Sequence, residues 1–199
     1  MNYFWKLLLP EELKRAARLL DLQKKKQFIA ARGCLRIILG RYLKIKPSHV
    51  QFQYNNYGKP VFAALHHSPL SFNLSHSGDW GVLAVVKKDA VGVDIEKIEY
   101  EIEFNQVAQH FFNERELYTL SQYPSTRQRR GFYRLWTQKE ARLKSMGTGF
   151  KIAAGAVRTV VSAPFYLKTF PVAAEYVCSV AADQRIAVIK KFHFSEIFR

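Results

Sequence analysis

The sequence predicts an α+β protein organised as two halves, and three observations carry that prediction. Apolar residues first recur at threes and fours, then alternate in short runs, then return to the helical period and end in further short runs. The order is therefore helices, strands, helices, strands. No low-complexity linker interrupts the 199 residues, a length that accommodates two small halves packed intimately. Apolar residues form 48% of the chain and aromatics 14%, enough to fill such cores and too many for a disordered polypeptide.

Residues 11–29 and 30–45 have helical periodicity with no internal proline, and Pro47 closes the second stretch. Asn55-Asn56-Tyr57-Gly58 reads as a turn. Strands follow at 60–63, 70–75, 80–86 and 90–95, separated by His/Ser/Pro, Ser-Gly-Asp and Lys-Lys-Asp signals. Helical character returns over 103–122, where Asn113 is placed to cap a helix with Glu116 at its third position. It continues over 127–146 and stops at the glycines of MGTGF. Short β-rich runs near 157–162, 165–169, 174–181 and 185–191 complete the chain. The expected halves are residues 1–98 and 99–199, with no sequence repeat between them.

The formal net charge of +15, from 31 Lys and Arg against 16 Asp and Glu, implies an anionic partner. Twelve of the basic residues lie within 1–46, including the triplet Lys24-Lys25-Lys26, a run that also suits a solvated helix face. Cys34 and Cys178 are far apart and have no metal-ligand spacing, so neither a disulfide framework nor a zinc site is expected. The N-terminus lacks the form of a signal peptide, and no apolar stretch approaches the roughly 18 residues of a membrane span. The expectation is a cytoplasmic protein that does not enter the membrane.

Five segments offer chemistry. GVDIEKI, residues 92–98, sets Asp94 and Glu96 two apart on an extended strand, so both carboxylates project to one side. Two like charges held together call for a cation, and a hard divalent ion such as Mg²⁺ takes oxygen ligands of this kind, although a solvent-exposed strand end would also carry them. WTQKEARLK, residues 136–144, sets Glu140 between Lys139 and Lys144 on one broad helix side, either as an exposed ion pair or as a third carboxylate with phosphate-binding lysines. FNLSHSGDW, residues 72–80, gathers Ser75, His76 and Ser77 as possible phosphate donors. A Ser75-to-His76 proton relay is disfavoured because adjacent strand residues point apart. NNYGKP, residues 55–60, places Lys59 in a constrained turn. AARGCLR, residues 30–36, stacks Arg32 and Arg36 four apart, a repulsive pair unless an acid or anion faces them.

In order, NNYGKP, FNLSHSG, GVDIEKI, FFNEREL and LWTQKEARLK resemble the Sfp-type phosphopantetheinyl transferases over roughly residues 10–165. The pairing of G-[IV]-D-x-E with W-x-x-K-E-[AS]-x-x-K about 40 residues later carries most of the specificity. The resemblance implies two similar α+β halves packed as an intramolecular pseudo-dimer, monomeric as a chain. It implies transfer of the phosphopantetheine arm of coenzyme A to a serine hydroxyl of an apo carrier protein, with release of adenosine 3′,5′-bisphosphate. It further implies Mg²⁺ bound by Asp94, Glu96 and Glu140, and phosphate charge neutralised by Lys139 and Lys144. Ser75, His76, Lys59 and Arg32 match positions at the nucleotide and its phosphates, and Glu116 or Glu140 would be the base. Carrier proteins of this class are acidic, so the basic surface would steer them. Two other classes fit less of the chain. A basic nucleic-acid-binding protein leaves the carboxylates unexplained, and a Mg²⁺-dependent phosphohydrolase leaves the GKP and SHS segments unexplained.

Overall fold

The computed structural model of the chain describes residues 2–147, 166–183 and 188–193. Two compact units emerge, one from residues 1–53, 62–68 and 188–199, the other from residues 54–61 and 69–187. The second unit contains both the strand Val91–Lys97 and its antiparallel partner Tyr176–Ala182, which lie on either side of residue 98.

The first unit is helical. Helix α1 covers Asn2–Trp5, α2 Pro10–Ala17 and α3 Leu22–Leu43. The expected helices 11–29 and 30–45 are thus redivided: the break falls at residues 18–21, not at 29/30. Its cause is Asp21, whose carboxylate accepts the backbone N–H groups of Gln23 and Lys24 at 2.8 and 3.1 Å and so begins a new helix. Leu8, Ala16 and Ile29 form the buried cluster between these helices, with Phe4, Leu13 and Phe28 against it. Arg36 is fully buried; its Nε and Nη2 donate to Glu12 Oε2 at 3.0 and 2.8 Å, and its Nη1 donates to the Val50 carbonyl. Arg32 Nε stands 3.8 Å from Glu12 Oε1, so the acid required by the stacked arginines is Glu12. The first unit also holds the short turn at Ala64–His66, where His66 Nε2 accepts the Gln51 N–H.

Strands β1, Phe52–Tyr54, and β2, Pro60–Phe62, pair as a two-stranded ribbon. In the second unit β3, Leu70–Ser77, and β4, Trp80–Lys87, form a hairpin in register from Leu70 opposite Lys87 to Ser77 opposite Trp80. Strands β5, Val91–Lys97, β6, Tyr166–Pro171, and β7, Tyr176–Ala182, make an antiparallel sheet in the order β5-β7-β6. The helical region expected at 103–122 is two helices, α4, Phe104–Phe111, and α5, Glu114–Ser121. Asn113 separates them by capping α5: its Oδ1 accepts the Glu116 N–H, and Glu116 Oε2 accepts the Asn113 N–H, each at 2.9 Å. Helix α6 covers Ser125–Met146 and ends at Gly147, whose φ of 74° is the left-handed conformation that glycine adopts without strain.

The runs expected at 165–169 and 174–181 correspond to β6 and β7. The run at 157–162 lies outside the described residues, and 188–193 has no regular secondary structure. Alternation along β5 organises the second unit. Val93 and Ile95 join Tyr176 and Cys178 in a cluster that packs on Trp80, Val82 and Ala84 of β4. Gly92, Asp94 and Glu96 point the other way, towards α6. A Cβ on Gly92 would stand 1.9 Å from the Ala141 carbonyl, so the helix lies directly on the strand at that point.

Candidate functional site

The site forms where the α6-facing positions of β5 meet the last turns of α6. Asp94 is 2% exposed and Lys144, two residues before the end of α6 at Met146, places its ammonium 2.6 Å from Asp94 Oδ1. Ser75 Oγ completes the group, donating to Asp94 Oδ1 at 2.9 Å and accepting from Lys144 Nζ at 3.0 Å. Ser77 Oγ does the same for the next carboxylate, donating to Glu96 Oε2 at 2.9 Å.

Strand β3 thereby finishes an edge that β7 leaves open. Asn73 Oδ1 accepts the Val93 N–H at 2.8 Å, and Ser75 and Ser77 Oγ accept those of Ile95 and Lys97 at 3.4 and 3.0 Å. Three polar side chains at alternate positions thus satisfy three alternate amides that would otherwise be orphaned. Asn73 was not among the expected site residues, and Ser77 was expected only as a possible phosphate donor, not as a partner of Glu96. The polar positions 73, 75 and 77, alternating with Leu74 and His76 on one strand, are the signal that could have found them. His76 points away and is exposed, as expected of a strand neighbour of the buried Ser75.

Electrostatics in this cluster run against charge. Burial pushes the Glu96 carboxyl up to about 7, with Asp94 adding to the rise and Ser77 opposing it. Burial likewise pushes Glu140 up to about 7, against Lys144 and with Asp94 and Glu96. Asp94 is raised too, by burial, although Lys144 and Ser75 pull it down. The three carboxyls feel one another, which is the expected consequence of gathering like charges in a poorly hydrated region.

The donor set suits a hard divalent cation. Asp94 Oδ2 is buried and has no hydrogen-bond partner among the described residues, leaving an oxygen suited to a metal. Glu96 and Glu140 supply two more carboxylates from the same region. The residues are not drawn into a ready-made ligand cage: among the described residues no three His, Cys, Asp or Glu side chains are gathered tightly enough. The cation that Asp94 holds directly is the Lys144 ammonium.

Two expected site residues lie elsewhere in the second unit. Lys139 is buried, its ammonium 2.6 Å from Glu116 Oε2 and 5.8 Å from the centre of the Phe112 ring. Five residues at 3.6 per turn separate Lys139 from Lys144 by about 140° around the helix, so one faces α5 while the other faces β5. The single broad side expected for both lysines is therefore split. Glu116 in turn is committed twice at Oε2, to Asn113 N–H and to Lys139. An aromatic cluster fixes this corner, with Phe112 5.5 Å from Phe132 and Phe132 5.7 Å from Trp136.

Lys59 is turned inward. It donates to the carbonyls of Val91, Lys144 and Ser145 at 3.0, 2.5 and 3.4 Å, and burial pulls its ammonium down to about 8. Arg32 belongs to the helical unit, where it meets Glu12 and the Phe28 ring. A buried hydroxyl chain escaped sequence reasoning altogether: Thr137 Oγ1 on α6 lies 2.8 Å from Ser179 Oγ on β7, which lies 2.9 Å from Thr169 Oγ1 on β6. It ties the helix that carries Glu140 and Lys144 across two strands.

No helix among the described residues is long and apolar enough to cross a membrane. Residues 90–184 match the family model described as the 4′-phosphopantetheinyl transferase superfamily, and residues 1–88 match that of the 4′-phosphopantetheinyl transferase N-terminal region. The chain is 36% identical over 163 residues to the 4′-phosphopantetheinyl transferase HetI of Nostoc sp., covering 81% of this chain and 69% of that protein. It is 26% identical over 192 residues to the 4′-phosphopantetheinyl transferase Sfp of Bacillus subtilis, covering 90% and 84%. Against the human L-aminoadipate-semialdehyde dehydrogenase-phosphopantetheinyl transferase it is 32% identical over 149 residues, covering 70% of this chain and 48%, about half, of that protein. With helices and antiparallel sheets in place, carboxylates gathered on β5 and α6, and two consecutive family models spanning residues 1–184, the chain belongs to the 4′-phosphopantetheinyl transferase superfamily.

Proposed function

We propose that this chain moves the 4′-phosphopantetheine arm of coenzyme A onto a serine hydroxyl of an apo carrier protein, with Mg²⁺, and releases adenosine 3′,5′-bisphosphate. The observation that carries the reading is the grouping of Asp94, Glu96 and Glu140 in one poorly hydrated region, with the Lys144 ammonium paired to Asp94. In the transfer the serine oxygen bonds to the phosphorus bearing the pantetheine arm, the bridging pyrophosphate bond breaks, and the nucleotide leaves with the electron pair. Negative charge grows on the leaving phosphate, so fixed cations at that point lower the barrier.

Asp94, Glu96 and Glu140 would hold Mg²⁺, and when bound it would neutralise the pyrophosphate. Lys144 supplies a second positive charge on the same side. The serine proton needs an acceptor within this cluster, and Glu140 is the candidate base. Glu116 is the weaker candidate because its Oε2 is already held by Lys139 and by the Asn113 N–H. Ser75, His76 and Arg32 stay proposed contacts of coenzyme A, and Lys139 acts on this reading through Glu116. The +15 net charge favours an acidic carrier as partner, in a reducing, cytoplasmic setting consistent with Cys34 and Cys178 not being joined in a disulfide, and a single chain suffices.

The test is incubation of the purified chain with coenzyme A, Mg²⁺ and a panel of apo acyl and peptidyl carriers, followed by intact mass. One carrier should gain the mass of a single phosphopantetheine arm. No gain on any carrier overturns the reading.

A further inference from the structure

We infer that Asn55 and Lys59 form a cap, made in trans, on the carboxyl end of α6, and that this cap positions Lys144 against Asp94. Both are positioning residues, and this role rests on the transferase reading above. The need for a cap comes from α6 itself. The last four carbonyls of a helix have no partner within it, and their partial negative charge attracts a cation. Gly147 returns its N–H to the last turn, but the carbonyls of Lys144, Ser145 and Gly147 still have lone pairs to satisfy.

The NNYGKP turn supplies the donors. Lys59 Nζ donates to Lys144 O at 2.5 Å and Ser145 O at 3.4 Å, while Asn55 Nδ2 donates to Gly147 O at 2.8 Å. The third ammonium proton goes to Val91 O, 3.0 Å away at the first residue of β5. One charged group therefore ties the end of α6 to the start of the strand that carries Asp94. The carbonyl it grips belongs to Lys144, whose own ammonium meets Asp94.

The turn is built to hold this pose. Asn55 Oδ1 accepts the N–H groups of Tyr57 and Lys59 at 3.0 and 2.9 Å, the Asn55 N–H donates to Lys59 O at 3.0 Å, and Gly58 takes a φ of 82°. An ammonium has three donors, and Lys59 spends all three on backbone carbonyls. A phosphate of coenzyme A could claim Lys59 only by breaking the cap, so the geometry favours positioning over the nucleotide contact that family resemblance implies.

Lys59→Met and Asn55→Ala distinguish the two roles, since only the first removes a charge. Hydrogen exchange of the substrate-free protein is read at the amides of residues 143–147, alongside kcat and KM for coenzyme A. Under the cap, both variants exchange about tenfold faster in that last turn and nowhere else in α6. Both also lower kcat by about tenfold, with KM for coenzyme A within about twofold of wild type. A rise in KM confined to Lys59→Met, with kcat and exchange unchanged in both variants, overturns it and makes Lys59 a ligand. If Lys59→Met does not fold, Asn55→Ala decides by the same two readouts. If the unmodified chain transfers no arm, the transferase reading fails, while the exchange result still decides whether the cap exists.

Discussion

Lys144 Nζ and Asp94 Oδ1, fifty residues apart in sequence, lie 2.6 Å apart, with Ser75 Oγ bonded to both. The pair is asymmetric in its surroundings: the Asp94 side chain is 3% exposed and that of Lys144 27%. Removing the lysine therefore strands a buried carboxylate, whereas removing the carboxylate leaves an ammonium that can still reach water. Lys144→Met should cost about 3 kcal/mol in urea unfolding, the lower end for breaking a buried pair. The double variant Asp94→Asn/Lys144→Met should recover part of that loss. A single Lys144→Met variant as stable as wild type would show that the pair contributes nothing.

The raised carboxyls make stability depend on pH in a direction opposite to that of an ordinary salt-bridged acid. Glu96 and Glu140 move from 4.5 in the unfolded chain to about 7 in the folded one. The folded state therefore binds more protons between those values. Their contribution is fully present below pH 4.5 and is lost as pH rises through about 7, by at most about 1.4 kcal/mol per carboxyl for each pH unit crossed. In chelator-treated protein Tm should fall between pH 5 and 8, and Glu140→Gln should flatten part of that slope. Adding Mg²⁺ at pH 8 should restore Tm in the wild type, since an ion that binds only the folded state stabilises it.

Gly92 sits where backbone meets backbone. A methyl group there would meet the Ala141 carbonyl at 1.9 Å and the Ser145 N–H nitrogen at 2.3 Å, neither of which can yield as a flexible side chain can. Gly92→Ala should force α6 off β5 and cost about 3 kcal/mol. Because the shift moves Lys144 relative to Asp94, kcat for arm transfer should fall with stability, and retention of both would contradict the close approach.

Glu116 and Lys139 form a second, separate pair at 2.6 Å, with the Lys139 ammonium 5.8 Å from the centre of the Phe112 ring. A double-mutant cycle on Glu116→Gln and Lys139→Met should give a coupling of about 1–3 kcal/mol in stability. Glu116→Gln should lower kcat less than Glu140→Gln, which removes a carboxyl from the Asp94 cluster and should cost about a hundredfold or more. Equal losses from the two changes would reopen Glu116 as the base.

Local rules made much of this molecule readable in one dimension. The alternation in GVDIEKI puts Asp94 and Glu96 on one face because a strand has a period of two, and the contacts of Ser75 and Ser77 follow that face. Asn113 and Glu116 announce a helix start by spacing alone, since both bonds of the capping box lie within four residues. The helix boundary at Asp21 was equally local, but the even helical periodicity on both sides concealed it. Family membership was legible for the same reason, as motifs of fixed internal spacing.

Which charge meets which was decided only by the tertiary structure. On the helix Lys139 and Lys144 are near neighbours of Glu140, yet one is paired by α5 and the other by β5, because the packing of α6 chooses the partner for each direction around its axis. Lys59 in its turn could have faced a ligand or a helix end; the approach of α6 to β5 at Gly92 brought the carbonyls of Val91, Lys144 and Ser145 within its reach. Sequence determined the elements and their chemistry through short-range periodicity. Side-chain partnership depended on contacts between residues 19 to 92 positions apart, which no local pattern encodes.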